Sequence, residues 1–212
     1  SDLMSLSIII PAYNEEKYIE ETLKTITKGE IIVVCNACTD NTADIARKYT
    51  NKVIELPIKG VSRARNIGAQ YASNNRLIFL DADIKMDNKI LDKIEKTKYN
   101  IGTSKVKSQT NKFIYNFSMK IKSLAHNFGV CTGLIFCDKL IFDRVGGFDE
   151  TLSKKEDGKF LRVARKKGDF GIVNAYVYNN MRRFEKLGLK NVCLYWIKQY
   201  TFPDKKEYET IR

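Results

Sequence analysis

The sequence is short of several residues that mark particular protein classes. Its 212 residues include 3 prolines, 1 histidine, 1 tryptophan and 5 cysteines. An odd cysteine count in a chain this long argues against a disulfide framework and for a reducing compartment. No apolar run approaches 18 residues, and the first residues lack the basic, apolar, small-residue order of a secretory signal. The expectation is a cytoplasmic chain without a membrane span. Internal repeats and low-complexity tracts are also missing. What is present is a core: 43% hydrophobic and 11% aromatic residues exclude a disordered chain and suit one large domain or two packed halves.

Charge is present in excess and unevenly placed. The net charge is +12; residues 1–103 carry 15 Lys/Arg against 14 Asp/Glu, and residues 104–212 carry 22 against 11. The second half therefore faces something anionic or is a lysine-rich solvated surface.

Along the first half, apolar runs alternate with helical patterns. LSIII (6–10) ends at Pro11, and EEKYIEETLKTI follows with Ile19, Leu23 and Ile26 at helical spacing. IIVV (31–34), KVIEL (52–56) and RLIFL (76–80) read as further strands. TADIARKY (42–49), SRARNIGAQYA (62–72) and a segment from about 88 to 96 with Asp87 as N-cap read as helices. Unbroken rather than alternating apolar runs predict a largely parallel sheet covered on both faces. Ligands of such sheets sit beyond the carboxyl ends of the strands. Three polar clusters fall there: Tyr13-Asn14-Glu15, Asn36 through Asp40, and Asp81-Ala82-Asp83.

Cys35 and Cys38 fall in the second cluster as Cys-x-x-Cys, the spacing of a redox dithiol or half a zinc site. The remaining candidate zinc ligands, Cys131, Cys137, Cys193 and His126, are nowhere paired at two-residue spacing, and no cis-proline loop is evident. The pair reads as incidental.

Taken in order, SIIIPAYNEE, EIIVVCNACTDNT, GVSRARNIGAQYA, FLDAD, GGFDE (146–150) and KKEDGKFLRVARKKG (154–168) resemble the inverting family 2 glycosyltransferases over about residues 5–185. The resemblance implies an α/β chain of GT-A fold: a mostly parallel central sheet flanked by helices, with a nucleotide-binding half (1–103) and an acceptor-binding half (104–212). It implies that Pro11, Tyr13 and Glu15 form the nucleotide loop. Asn36 stands where the family usually has an acid that meets the base, and this departure favours a uridine over a guanosine diphosphate donor. Asp81 and Asp83 match the family's D-x-D, which holds Mn²⁺ or Mg²⁺ on the donor diphosphate. Arg63 and Arg65, with Lys59, are implied to neutralise that diphosphate.

In the second half, VCTGLIFC (130–137) reads as a strand and Glu156-Asp157 as the opening of a helix. Asp157 matches the family's catalytic base, and Glu156 is expected to point about 100° away. Arg182 and Arg183 are candidates for a phosphate of donor or acceptor. The segment 189–202 mixes apolar residues, Trp196 and Tyr200 with lysines, and reads as a helix packed on the domain or lying on an anionic membrane. The expected partners are a nucleotide-diphosphate sugar and a hydroxyl, glycan or polyprenyl-phosphate acceptor, with no nucleic acid. The rival readings are a sugar-phosphate nucleotidyltransferase, against which the phosphate-loop glycines and basic residues are missing after the first strand, and a non-catalytic nucleotide- or nucleic-acid-binding protein using the basic face.

Overall fold

The computed structural model describes residues 6–110, 133–152, 155–182, 185 and 188. Eight strands form one sheet in the order β3-β2-β1-β4-β7-β6-β8-β5. They are β1 (Leu6–Ala12), β2 (Glu30–Asn36), β3 (Val53–Leu56), β4 (Arg76–Leu80), β5 (Lys85–Met86), β6 (Ile101–Ser108), β7 (Leu134–Asp138) and β8 (Phe170–Asn179). The helices are α1 (Ile19–Leu23), α2 (Thr42–Arg47), α3 (Val61–Tyr71), α4 (Ile90–Lys96), α5 (Lys139–Val145) and α6 (Glu156–Ala164).

The apolar runs of β1, β2 and β4 become the parallel centre of the sheet. They are unbroken because both faces are covered. Ile8 and Ile10 point into one core cluster with Val33 and Phe136, and Ile9 into the other with Val34 and Phe79. β1 does not stop at Pro11. Its pairing with β4 ends at Ile9↔Phe79, whereas its pairing with β2 runs on to Ala12↔Cys35, so the proline's missing N–H falls where the strand has one neighbour only.

β7 enters the sheet antiparallel to both β4 and β6, and β5 pairs antiparallel with β8. β6 and β8 run parallel, with a register irregularity between Ser104 and Lys105. They approach so closely at Gly102 that a Cβ there would lie 2.1 Å from Gly171 O and 2.4 Å from Phe136 Cζ. The sheet therefore carries strands of both sequence halves side by side. Beneath β4 and β7, Phe79, Phe142, Phe148 and Phe160 form one aromatic cluster, with Phe148 and Phe160 stacked at 4.3 Å. Such ring pairs add about 0.5–1.5 kcal/mol each beyond their buried area, and this one fixes α6 to the GGFDE turn.

Several helix ends differ from the sequence expectation. The EEKYIEETLKTI pattern yields a helix only over Ile19–Leu23, because Glu15 to Tyr18 form a turn tied to the neighbouring loop. Asp87 is not the N-cap of α4. Lys89 holds that position, and Asp87 Oδ1, two residues earlier, accepts the Lys89 N–H at 2.9 Å. No helix of the described residues is long and apolar enough to cross a membrane.

Candidate active site

The site is built where β1, β2 and β4 end. Asn14 adopts a left-handed conformation (φ 51°) that turns the chain away from β1. Its side chain donates to Thr39 Oγ1 at 3.0 Å and accepts the Thr39 N–H at 2.7 Å, and the Glu15 N–H donates to Thr42 Oγ1 at 2.8 Å. These bonds zip the loop after β1 to the loop after β2. Ala37 is likewise left-handed (φ 57°) and donates its N–H to Leu56 O at 2.8 Å. Asn36 is buried, and its Oδ1 accepts the Gly60 N–H at 2.6 Å, so its amide oxygen clamps the loop that leads into α3. Pro11 is buried within β1, and Lys59 Nζ lies 4.3 Å above the Tyr13 ring.

Two arginines organise the carboxylates. Arg65, on α3 and with a side chain only 5% exposed, bridges three acids from two distant segments. Its Nη2 lies 3.0 Å from Asp81 Oδ1, and its Nη1 lies 3.1 Å from Glu156 Oε1 and 2.7 Å from Asp157 Oδ1. Arg182 grips both oxygens of Glu15 at 2.8 Å, lies 3.1 Å from Asp83 Oδ2 and sits 4.7 Å over the Tyr18 ring. Burial pushes the Asp83 carboxyl up to about 6, with Arg182 opposing and the charges of Asp81 and Glu15 reinforcing the rise. Burial pulls Arg182 down, but its bonds to Glu15 and the charge of Asp83 outweigh this and raise it.

The structure thus brings together Glu15, Arg65, Asp81, Asp83, Asp157 and Arg182. Arg63 stands apart, half-exposed and without an ion pair among the described residues. Arg183 and the segment 189–202 lie outside the described residues. Two expectations change. Arg65 is the buried tie among acids rather than an open cation awaiting a diphosphate. Glu156 and Asp157 do not point apart: both reach the same guanidinium nitrogen, the longer glutamate curling round the first turn of α6.

Some positioning residues gave little warning in the sequence. Asn66, beside Arg65, accepts the Phe148 N–H at 2.8 Å and donates to Phe148 O at 2.9 Å, which locks the GGFDE turn. Thr22 donates to Ala82 O at 2.8 Å, and Gln109 donates to Asp83 O at 3.1 Å and Tyr178 O at 2.9 Å. Both hold the D-x-D turn from elements that only the tertiary fold brings near.

Among the described residues no group of three His, Cys, Asp or Glu side chains is gathered to hold a metal ion. Asp81 and Asp83 nevertheless suit a hard divalent cation that takes one or two carboxylates and completes its shell with phosphate and water. The half-buried Asp83 carboxyl, raised by desolvation and further by the charges of Asp81 and Glu15, is a group that an added cation relieves.

A sheet of this order, flanked by helices and with acids at the ends of β1 and β4, is a GT-A type of fold. Comparison with known proteins agrees. The solved structure of Staphylococcus aureus TarS 1–349 in complex with UDP-GlcNAc superposes with a TM-score of 0.69 at 24% identity, covering 84% of this chain and 58% of that one. The mannosyltransferase PcManGT from Pyrobaculum calidifontis, in complex with GDP-Man and Mn²⁺, superposes at 0.64 with 18% identity, covering 96% of this chain and 65% of that one. In sequence, the chain is 34% identical over 94 residues to the poly(ribitol-phosphate) beta-N-acetylglucosaminyltransferase TarS of Staphylococcus aureus, a stretch that is 38% of this chain and 16% of TarS. The family model "Glycosyl transferase family 2" matches residues 7–143, and the chain belongs to that family.

Proposed function

We propose that the chain carries the catalytic unit of an inverting, metal-dependent glycosyltransferase that uses a nucleotide-diphosphate sugar. The observation that carries this reading is Arg65. One buried guanidinium links Asp81, in the donor-side turn, to Asp157, at the acceptor-side helix, so that two acids 76 positions apart in the chain border one site.

Asp157 takes the proton of the acceptor hydroxyl as that oxygen attacks the anomeric carbon. Attack opposite the leaving nucleotide inverts the configuration, giving a β-linked product from an α-linked donor. Arg65 holds Asp157 in place, and Glu156 shares that anchor. Asp81 and Asp83 would hold Mn²⁺ or Mg²⁺, which supplies charge stabilisation for the departing diphosphate. Arg182, beside Asp83, would supply positive charge to a donor phosphate. Tyr13 and Lys59 border the base, and Asn36 in place of a carboxylate supports a uridine donor. The acceptor is a hydroxyl of a glycan or a polyprenyl phosphate, and the charge excess of residues 104–212 supports work beside an anionic membrane.

The test is thermal stabilisation by UDP and GDP with and without Mn²⁺, followed by a panel of nucleotide sugars. UDP should stabilise more than GDP, and Mn²⁺ should enhance the effect. Asp157→Asn should bind UDP like the parent and lose transfer by about 10²–10⁴-fold. An unchanged melting temperature with every nucleotide, metal present or not, would refute the reading.

A further inference from the structure

β6 and β8 read IGTSKVKS and FGIVNAYVYN and contain neither Asp nor Glu. Val106, Val173, Ala175 and Val177 point into one core cluster. By alternation the other face carries Lys105 and Lys107 on β6, with Ile172, Asn174, Tyr176 and Tyr178 on β8. The irregularity after Ser104 bypasses Asn174 and Ala175, so that Lys105 meets Tyr176 and Lys107 meets Tyr178. Lys107 Nζ lies 4.0 Å from the centre of the Tyr176 ring and Lys105 Nζ 5.8 Å from it, and Lys105 donates to Asn174 Oδ1 at 2.7 Å. Neither ammonium has a carboxylate partner among the described residues. Elsewhere Lys24, Lys28, Lys52 and Lys85 each pair with an acid. Two contacts place this strip beside the site. Ile101, which opens β6 on the face opposite Val106, packs with Phe160 and Leu161 of α6, the helix whose first turn holds Asp157. At the other end of the strand the residue after Ser108, Gln109, donates to Asp83 O.

We propose that this strip docks the acceptor, and that the acceptor it fits is a chain with regularly spaced phosphate groups. That the docked chain is the acceptor rests on the transferase reading above. Lys105 and Lys107 sit about 6.6 Å apart along one strand, and two compact charges in a row suit successive anions of a chain better than a single phosphate. The tyrosine beside them holds both ammoniums in place, and Tyr178 continues the row with a hydroxyl. A bilayer fits less well. Lys105, Tyr176 and Tyr178 are only half-exposed, and among the described residues of this face Ile172 alone is an exposed large apolar side chain. A nucleic-acid strand also fits less well, because its bases need open aromatic faces and the Tyr176 ring is already occupied by lysines.

The test is calorimetric titration of the full chain with inorganic polyphosphate at low salt, without divalent metal because polyphosphate chelates it. Lys105→Gln/Lys107→Gln should weaken binding at least about tenfold and lower the slope of log K against log salt by about 1.4, at about 0.7 per neutralised phosphate. The stabilisation of this variant by UDP should match the parent's. Lys96→Gln/Lys98→Gln removes the same charge from exposed positions at the end of α4, which packs on the opposite face, and should weaken binding less than about twofold. Saturating UDP should leave polyphosphate binding unchanged within about twofold. Equal losses in the two double variants, or no binding by the parent at low salt, overturn the proposal. Competition by UDP also overturns it, since polyphosphate would then occupy the donor site. Loss of binding to phosphatidylglycerol–phosphatidylcholine vesicles in the Lys105/Lys107 variant, with polyphosphate unaffected, assigns the face to a membrane and overturns it. Oligothymidylate bound at least about tenfold more tightly than polyphosphate overturns the class of partner. Failure of the parent to be stabilised by any nucleotide refutes the transferase reading and the acceptor role with it, while the polyphosphate series still decides whether the strip holds a phosphate chain.

Discussion

Replacing Arg65 by methionine removes one guanidinium and strands three acids around its place. The side chain of Arg65 is 5% exposed, while those of Glu156, Asp157 and Asp81 are 13%, 22% and 40% exposed. Removing one partner of a fully buried ion pair costs about 3–5 kcal/mol. Here water reaches Asp81 and part of Asp157, so the loss for Arg65→Met should be about 2–4 kcal/mol. Methionine fills much of the same volume over the Phe148 ring, which keeps a cavity cost out of the comparison. For a chain of this size each kcal/mol moves the melting temperature by about 2–4 °C, so a fall of about 4–16 °C is expected. Arg65→Lys keeps the charge but not the fork that spans both sides, and should fall between the two. Urea unfolding of Arg65→Met, Asp157→Asn and the double variant gives the coupling directly, expected at about 1 kcal/mol or more. A loss under about 0.5 kcal/mol for Arg65→Met, or additive losses in the cycle, refutes the claim that this arginine ties the two halves of the site.

Other perturbations probe separate parts of the same account. Glu30 is bonded by the Lys52 ammonium, the Ser7 hydroxyl and the Ser73 N–H and hydroxyl. Burial raises its pKa, but these bonds outweigh it and hold the carboxyl at about 2. Its folded pKa is depressed, so its contribution is full above about pH 4.5 and drains away as pH falls toward 2. Glu30→Gln should therefore cost about 1–2 kcal/mol at pH 6 in urea unfolding, screening included, and only about a quarter of that near pH 2.5. Ala37 holds φ 57° where glycine carries no steric penalty. Ala37→Gly should stabilise by about 0.5–1 kcal/mol in the same assay, and a clear loss would show that the alanine methyl packs usefully. Gly102→Ala drives a methyl into Gly171 O and the Phe136 ring, and should cost at least about 3 kcal/mol or abolish soluble expression. Asp83→Asn should remove the Mn²⁺ enhancement of UDP binding while leaving the melting temperature of the apo protein within a few degrees.

The parallel centre of the sheet was legible because β1, β2 and β4 are buried on both faces, and such strands read as unbroken apolar runs. β6 and β8 were not. β8 alternates between buried and more exposed positions, β6 is buried from Ile101 to Ser104 though three of those four residues are Gly, Thr and Ser, and IGTSKVKS and FGIVNAYVYN find their sheet partners in each other and in β7. Asp81, Asp83 and Asp157 were legible as acids at a strand end and a helix start, positions where local chemistry and the family motif coincide. The arginines were legible as charges but not as partners. Whether Arg65 faces a phosphate or three carboxylates depends on α6 arriving beneath it, and α6 is held there by Phe148 stacked on Phe160 and by Asn66 gripping Phe148. The motif segments RNIG and GGFDE are therefore two sides of one joint: Asn66 fastens the turn, the turn's phenylalanine fastens the helix, and Arg65 meets the acids that the helix delivers. A substitution at Asn66 or Phe148, neither of which bears a charge, should for that reason disturb the placement of Asp157 as surely as one at Arg65.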